Sequence, residues 1–213
     1  MRVIYTSYDE STGYWKLCEP SVLAWVKKCG AVLVNLPKPI GYQPQWVLFD
    51  AFMHSAQDPN ITQSVWIDCD IVVRGDAPNP FEGLPEAIHF CQPDPAHRVH
   101  PRMLKTWRKH GISNPRPYFV TALVMWAPHQ VLPLIEWFDT ERDRFTPRDG
   151  DQELITVAMQ ELRLYAAYFP PHWHKMSKFV NDKTMFLHAA GRKVKKRRRL
   201  RIFFAWMKKH GYE

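Results

Sequence analysis

Short β-branched runs alternate with longer stretches of helical spacing at the start of the chain. Arg2, Val3, Ile4, Tyr5 and Thr6 read as a strand, followed by a helix over residues 17–28 with Leu17, Val22, Trp25 and Val26 as its apolar positions and Gly30 as its stop. Residues 31–36 read as a second apolar strand closed by Pro37 and Pro39. A second helix over 45–56 carries a stripe of Trp46, Phe49, Phe52 and Met53 and ends at Asp58-Pro59-Asn60. Val65, Ile67 and Ile71-Val72-Val73 then supply a third strand, over residues 65–74. This order predicts a parallel α/β sheet, because parallel strands need long crossovers and those are right-handed. Ligands of such sheets bind at the carboxyl ends of the strands, so residues 5–9 and 68–70 are expected to meet in one cleft.

The second half is less regular. Residues 78–101 are rich in loops, with a short strand over 87–91. Residues 101–110 read as a helix, 118–126 as a strand, and 131–139 as a helix presenting Leu132, Ile135 and Trp137. The polar turn 147–153 leads into a helix over 154–162. Short strands over 165–169 and 185–188 follow, the second just before Gly191. His97, His100 and His110 have no tight ligand spacing and read as surface residues.

Two carboxylates interrupt the third strand. A buried carboxylate is costly unless it is paired or bound to metal. On an ideal strand Asp68 and Asp70 would project from one face, where hard oxygen ligands suit Mn²⁺ or Mg²⁺ and, through it, a diphosphate. The same pair also reads as a solvated strand end or a turn cap, and the surrounding motifs decide between these.

Composition narrows the class. In 213 residues, 46% hydrophobic and 14% aromatic content is that of a globular chain, and the length suits one domain with a tail. Cys18, Cys29, Cys69 and Cys91 form no Cys-x-x-Cys pair, which argues against a zinc ribbon and for free thiols in a reducing compartment. No apolar stretch approaches the ~20 residues of a membrane span, so a cytoplasmic protein is expected. Charge is concentrated at one end. Residues 191–213 hold ten Lys or Arg against Glu213, whereas the whole chain carries +8, so the body is close to neutral.

The order of motifs resembles a GT-A fold glycosyltransferase, most nearly glycosyltransferase family 8. Carrying the resemblance are Thr-Ser-Tyr-Asp at 6–9, Trp-Ile-Asp-Cys-Asp-Ile at 66–71, Tyr118 to Met125 as a block, Gly-Asp-Gln-Glu at 150–153, and His188-Ala189-Ala190-Gly191-Arg192-Lys193. It implies a Rossmann-like, mostly parallel sheet flanked by helices, with residues 1–191 as catalytic domain and 192–213 as a basic, amphipathic tail. Asp68, Asp70 and His188 would hold Mn²⁺ (or Mg²⁺), and Asp68 would also face the donor. Tyr5, Ser7, Tyr8 and Thr121 would contact the nucleotide-sugar, a UDP-sugar by the resemblance, while Gly191 and Lys193 would approach its phosphates. Asp151 and Gln152 match the pair that meets the transferred sugar. The activity implied is metal-dependent, retaining transfer to a saccharide or lipid-linked acceptor. The chain departs from the family at Val120-Thr121-Ala122, where Asn-Ser-Gly is usual, and at Val194, which stands where a lysine is expected, between Lys193 and Lys195.

Residue-level alternatives remain open here. His188 also reads as a core histidine, and Gln152 as a helix cap beside Asp151. In the tail, Leu200, Phe203, Phe204 and Met207 follow the cations at helical spacing, beside Trp206. Such a segment suits an anionic membrane surface, the phosphates of DNA, or simple packing on the body. With every candidate metal ligand upstream, a cut after Lys193 is expected to spare donor chemistry. Other readings are a glycosyltransferase acting on modified DNA bases and a non-catalytic nucleotide- or nucleic-acid-binding protein.

Overall fold

The structure is a computed structural model and describes residues 1–8, 15–37, 46–92, 99, 101–113, 118–146, 148–176, 181–188 and 196–211. Its first half follows the apolar pattern: β1 (Arg2–Thr6), α1 (Trp15–Lys28), β2 (Val32–Asn35), α2 (Val47–Gln57) and β3 (Gln63–Ile67). Then come β4 (Ile71–Val73), β5 (Ile88–Cys91), α3 (Pro101–Lys109), β6 (Val120–Trp126), α4 (Leu132–Glu141) and α5 (Asp151–Glu161). The chain finishes with β7 (Ala166–Tyr168), β8 (His174–Met176), β9 (Phe186–His188) and α6 (Lys196–Lys209).

Six strands form the central sheet in the order β2-β1-β3-β6-β5-β7. Pairing is parallel for β1 with β2 and β3 and for β5 with β7, but β6 runs antiparallel to both of its neighbours. The sheet is therefore mostly parallel, and the reversed strand has a consequence for the site. Because Ile67 pairs with Leu123 in antiparallel register, the start of β6 lies beside the carboxyl end of β3.

Strand period sorts side chains onto the two faces. Val3, Tyr5, Trp66, Val124 and Trp126 join one core with α2, α4 and α5. Ile4, Val65, Ile67, Leu123 and Met125 join another with α1. Burial on both faces explains why these strands read as continuous apolar runs rather than as alternating ones.

A second, three-stranded sheet has the order β4-β9-β8, antiparallel between β4 and β9 and parallel between β8 and β9. Residues 65–74, expected as one strand, are thus two strands in different sheets. Residues 68–70 form the bend between them, where the Ile71 amide donates to the Asp68 carbonyl at 3.2 Å. Ser21 ties α1 to this second sheet, since its hydroxyl accepts from the Val73 amide at 3.1 Å.

Of the readings left open for the tail, packing on the body is what Trp206 does. It is 6% exposed and clusters with Cys18, Val72 and Leu187, while Arg201, Phe204 and Lys208 stay exposed. The four cysteines are free thiols. No helix among the described residues is long and apolar enough to cross a membrane. His110, expected at the surface, is half-buried and stacked on Phe145 at 4.3 Å; His97 and His100 lie outside the described residues.

Candidate active site and metal centre

Two folding events bring the acids and the histidine together. The turn after β3 places Asp68 and Asp70, with the Asp68 amide donating to the Ala122 carbonyl of β6 at 3.0 Å. The antiparallel register of β4 with β9 sets His188 opposite Ile71, the residue after Asp70. His188 Nε2 then lies 3.0 Å from Asp70 Oδ1 and 3.5 Å from Asp68 Oδ2. One ligand atom from each of the three falls within 4.8 Å of the others. The two acids meet through the turn and not, as the ideal-strand reading had it, from one face of a continuous strand.

Each member is held by a neighbour. The Trp66 indole donates from Nε1 to Asp68 Oδ1 at 2.9 Å. His188 Nδ1, on the other side of the ring, lies 3.1 Å from His174 Nε2. Burial pushes the Asp68 carboxyl up to about 6, with the His188 charge working against it. Burial also opposes the Asp70 charge, but His188 outweighs it and holds that carboxyl below its ordinary range. For His188 itself burial disfavours the cation, yet Asp70 and Asp68 prevail and the imidazole is raised.

Two carboxylates and an imidazole nitrogen are a donor set that suits Mn²⁺ or Mg²⁺, with Mn²⁺ the better match for nitrogen. The set fits the ion the sequence called for. A proton and a divalent cation compete for the same His188 lone pair.

Asp151 opens α5, where the positive end of the helix favours a carboxylate. Its oxygen accepts from the Gln152 amide at 2.8 Å. Burial and the Asp68 charge nevertheless push it up to about 7, while a hydrogen bond from the Thr121 hydroxyl resists that rise. Thr121, at the start of the reversed β6, therefore meets Asp151 beside Asp68. Gln152 is half-buried next in line.

The turn that presents this pair is anchored from several sides. Thr106 donates to Asp149 Oδ1 at 2.7 Å, and the Thr146 amide and hydroxyl both donate to Oδ2 at 2.8 Å. Trp46 donates from Nε1 to the Asp149 carbonyl at 2.8 Å, and Glu153 reaches back to the Gly150 amide at 3.2 Å.

The remaining candidates divide. Ser7 and Tyr8 stand half-buried at the carboxyl end of β1. Tyr8 stacks on Trp15 at 4.1 Å between centroids, and its amide donates to Asn35 Oδ1 at 3.0 Å. Tyr5 does not join them. It is fully buried, stacked on Trp126, with its hydroxyl 2.9 Å from His54 Nδ1, because odd-numbered positions of β1 face the core under α2. Gly191 and Lys193 lie outside the described residues. Sequence reasoning missed His174, Asn35 and the Trp66 indole. Only Trp66 left a signal, since its two-residue spacing from Asp68 was visible.

No protein-family model matches the chain, and no curated protein matches it by sequence. Solved structures do match in fold. One is a glycosyltransferase involved in glycosylation of the major capsid of PBCV-1, at a TM-score of 0.62 and 12% identity over 95% of this chain and 98% of that one. Another is the galactosyltransferase LgtC with donor and acceptor sugar analogues, at 0.59 and 11% over 96% of each chain. A third, the apo glycosyltransferase GlyE of Streptococcus pneumoniae TIGR4, matches at 0.59 and 10%, over 98% of this chain and 63% of that one. The mixed α/β architecture is thus that of GT-A glycosyltransferases.

Proposed function

We propose that this protein is a metal-dependent glycosyltransferase that moves a sugar from a nucleotide diphosphate donor, a UDP-sugar by the family resemblance, to a saccharide acceptor. The observation that carries it is the meeting of Asp68, Asp70 and His188 at the carboxyl end of β3, in a fold shared with glycosyltransferases.

In this reading Asp68, Asp70 and His188 hold Mn²⁺ or Mg²⁺. Such an ion, when bound, neutralises charge on a leaving diphosphate. Trp66 fixes the Asp68 carboxylate through its indole N–H. Ser7 and Tyr8 meet the nucleotide, with Tyr8 held in place by Trp15 and Asn35. Gly191 and Lys193 approach the phosphates. Asp151, steadied by Thr121, and Gln152 position the sugar for transfer with retention. An acceptor on an anionic surface would meet Arg201, Phe204 and Lys208, which share the exposed side of α6 at i, i+3 and i+7.

The test is release of nucleoside diphosphate from a panel of nucleotide-sugars in Mn²⁺. Turnover of one donor is expected, and Asp70→Ala should abolish it, since one ligand and its charge are gone. Undiminished turnover in that variant overturns the assignment. Binding of nucleotide or of polynucleotide with no sugar release would instead favour the non-catalytic reading.

A further inference from the structure

His188 can offer Nε2 to a cation only if its ring proton sits on Nδ1. A buried Nδ1–H then needs an acceptor, because leaving a buried donor unpaired is costly. The acceptor is in place: His174 Nε2 lies 3.1 Å away, and both residues are buried, at 7% and 8% exposure.

The backbone fixes this pairing. In the parallel register of β8 with β9, His174 pairs with Phe186 and Met176 with His188, so residues 174 and 188 fall on one face and meet along a diagonal. His174 is not among the three residues whose ligand atoms cluster. It touches the metal-facing histidine from behind.

Resting on the metal-holding role assigned above, we propose that His174 is a positioning residue: its Nε2 accepts the Nδ1 proton of His188 and so directs the His188 Nε2 lone pair at a divalent cation held with Asp68 and Asp70. His174 in turn carries its own proton on Nδ1. Such outer partners of ligating histidines set ring orientation and tautomer, and their loss typically costs 10- to 100-fold in metal affinity.

The experiment is a Mn²⁺ titration followed by electron paramagnetic resonance, without nucleotide, on the full chain and three variants. His174→Ala and His174→Phe should each bind Mn²⁺ about 10- to 100-fold more weakly than the wild type. His174→Gln, whose amide oxygen can accept where Nε2 did, should stay within about threefold. The Phe variant fills the space without an acceptor, so a purely structural role would leave it binding like the wild type. Wild-type binding by the Phe variant, or a Gln variant as weak as Phe, overturns the positioning role alone. These two variants still decide if His174→Ala fails to fold. A wild-type chain that binds no Mn²⁺ overturns the metal-holding reading together with this one.

Discussion

Trp206 of α6 packs in one apolar cluster with Leu187 of β9, the residue before His188, and with Val72 of β4, two residues after Asp70. The basic tail therefore braces the small sheet that carries His188 and whose β4 begins at the residue after Asp70. None of the described tail residues joins the three-ligand cluster, and the link to the centre runs through Trp206 packed on Leu187 and Val72.

Replacing Trp206 with alanine should cost about 3–5 kcal/mol of stability, the usual range for a buried tryptophan, read by urea denaturation. Truncation after Lys193 should weaken Mn²⁺ binding and donor hydrolysis together, against the expectation from sequence that such a cut leaves donor hydrolysis nearly intact. Full activity in the truncated chain would show that α6 is no brace.

Asp151 lies outside the ligand trio but beside Asp68. Asp151→Asn should lower turnover by about 10²-fold or more, as loss of a preorganised polar group at a reacting centre does, and leave Mn²⁺ affinity unchanged. Thr121→Val should lower turnover less, since it removes only the hydroxyl that steadies the carboxylate. Parallel loss of metal binding in Asp151→Asn would place Asp151 among the ligands instead.

Asp149 gives a pH dependence with a defined sign. Burial opposes its charge, but hydrogen bonds from Thr106 and Thr146 outweigh that and hold its carboxyl below the ordinary range. A depressed folded value means the contribution to stability is present above the unfolded value of about 3.9 and is lost as pH falls through the lower folded one. Asp149→Asn should be destabilised by about 1–3 kcal/mol at neutral pH, and the gap to the wild type should close below about pH 4. Denaturation curves at pH 7 and pH 3 measure it; a gap of constant size refutes the ionic origin.

Tyr5→Phe tests the reassignment of that residue. Losing the hydroxyl contact with His54 should cost about 0.5–1.5 kcal/mol of stability and leave nucleoside diphosphate affinity unaltered. Tyr8→Ala should weaken that affinity. Calorimetry on the two variants separates buried from ligand-facing tyrosine at the same strand end.

The strands and helices of the first half were legible because local patterning decides them. β1, α2 and β3 follow runs and stripes that no partner needs to complete. Asp68, Asp70, Asp151 and His188 could be named as candidates from residue type and motif order alone. The division of residues 65–74 was not legible, since Val65, Ile67 and Ile71-Val72-Val73 are equally β-prone and nothing local says that the two halves join different sheets. Nor was β8, three residues long after Pro170-Pro171, and with it went the histidine behind His188.

What the sequence determined by itself is the set of elements and the chemical kinds available to a site, because hydrophobic period and residue type are properties of the chain. What the tertiary structure decided is adjacency. The reversal of β6 brings Thr121 to Asp151, the β4–β9 register brings His188 to Asp70, and the parity of β1 hides Tyr5 while leaving Tyr8 at the edge. Strand direction and register are set by long-range pairing, where a shift of one residue turns each side chain to the opposite face, so local pattern cannot supply them.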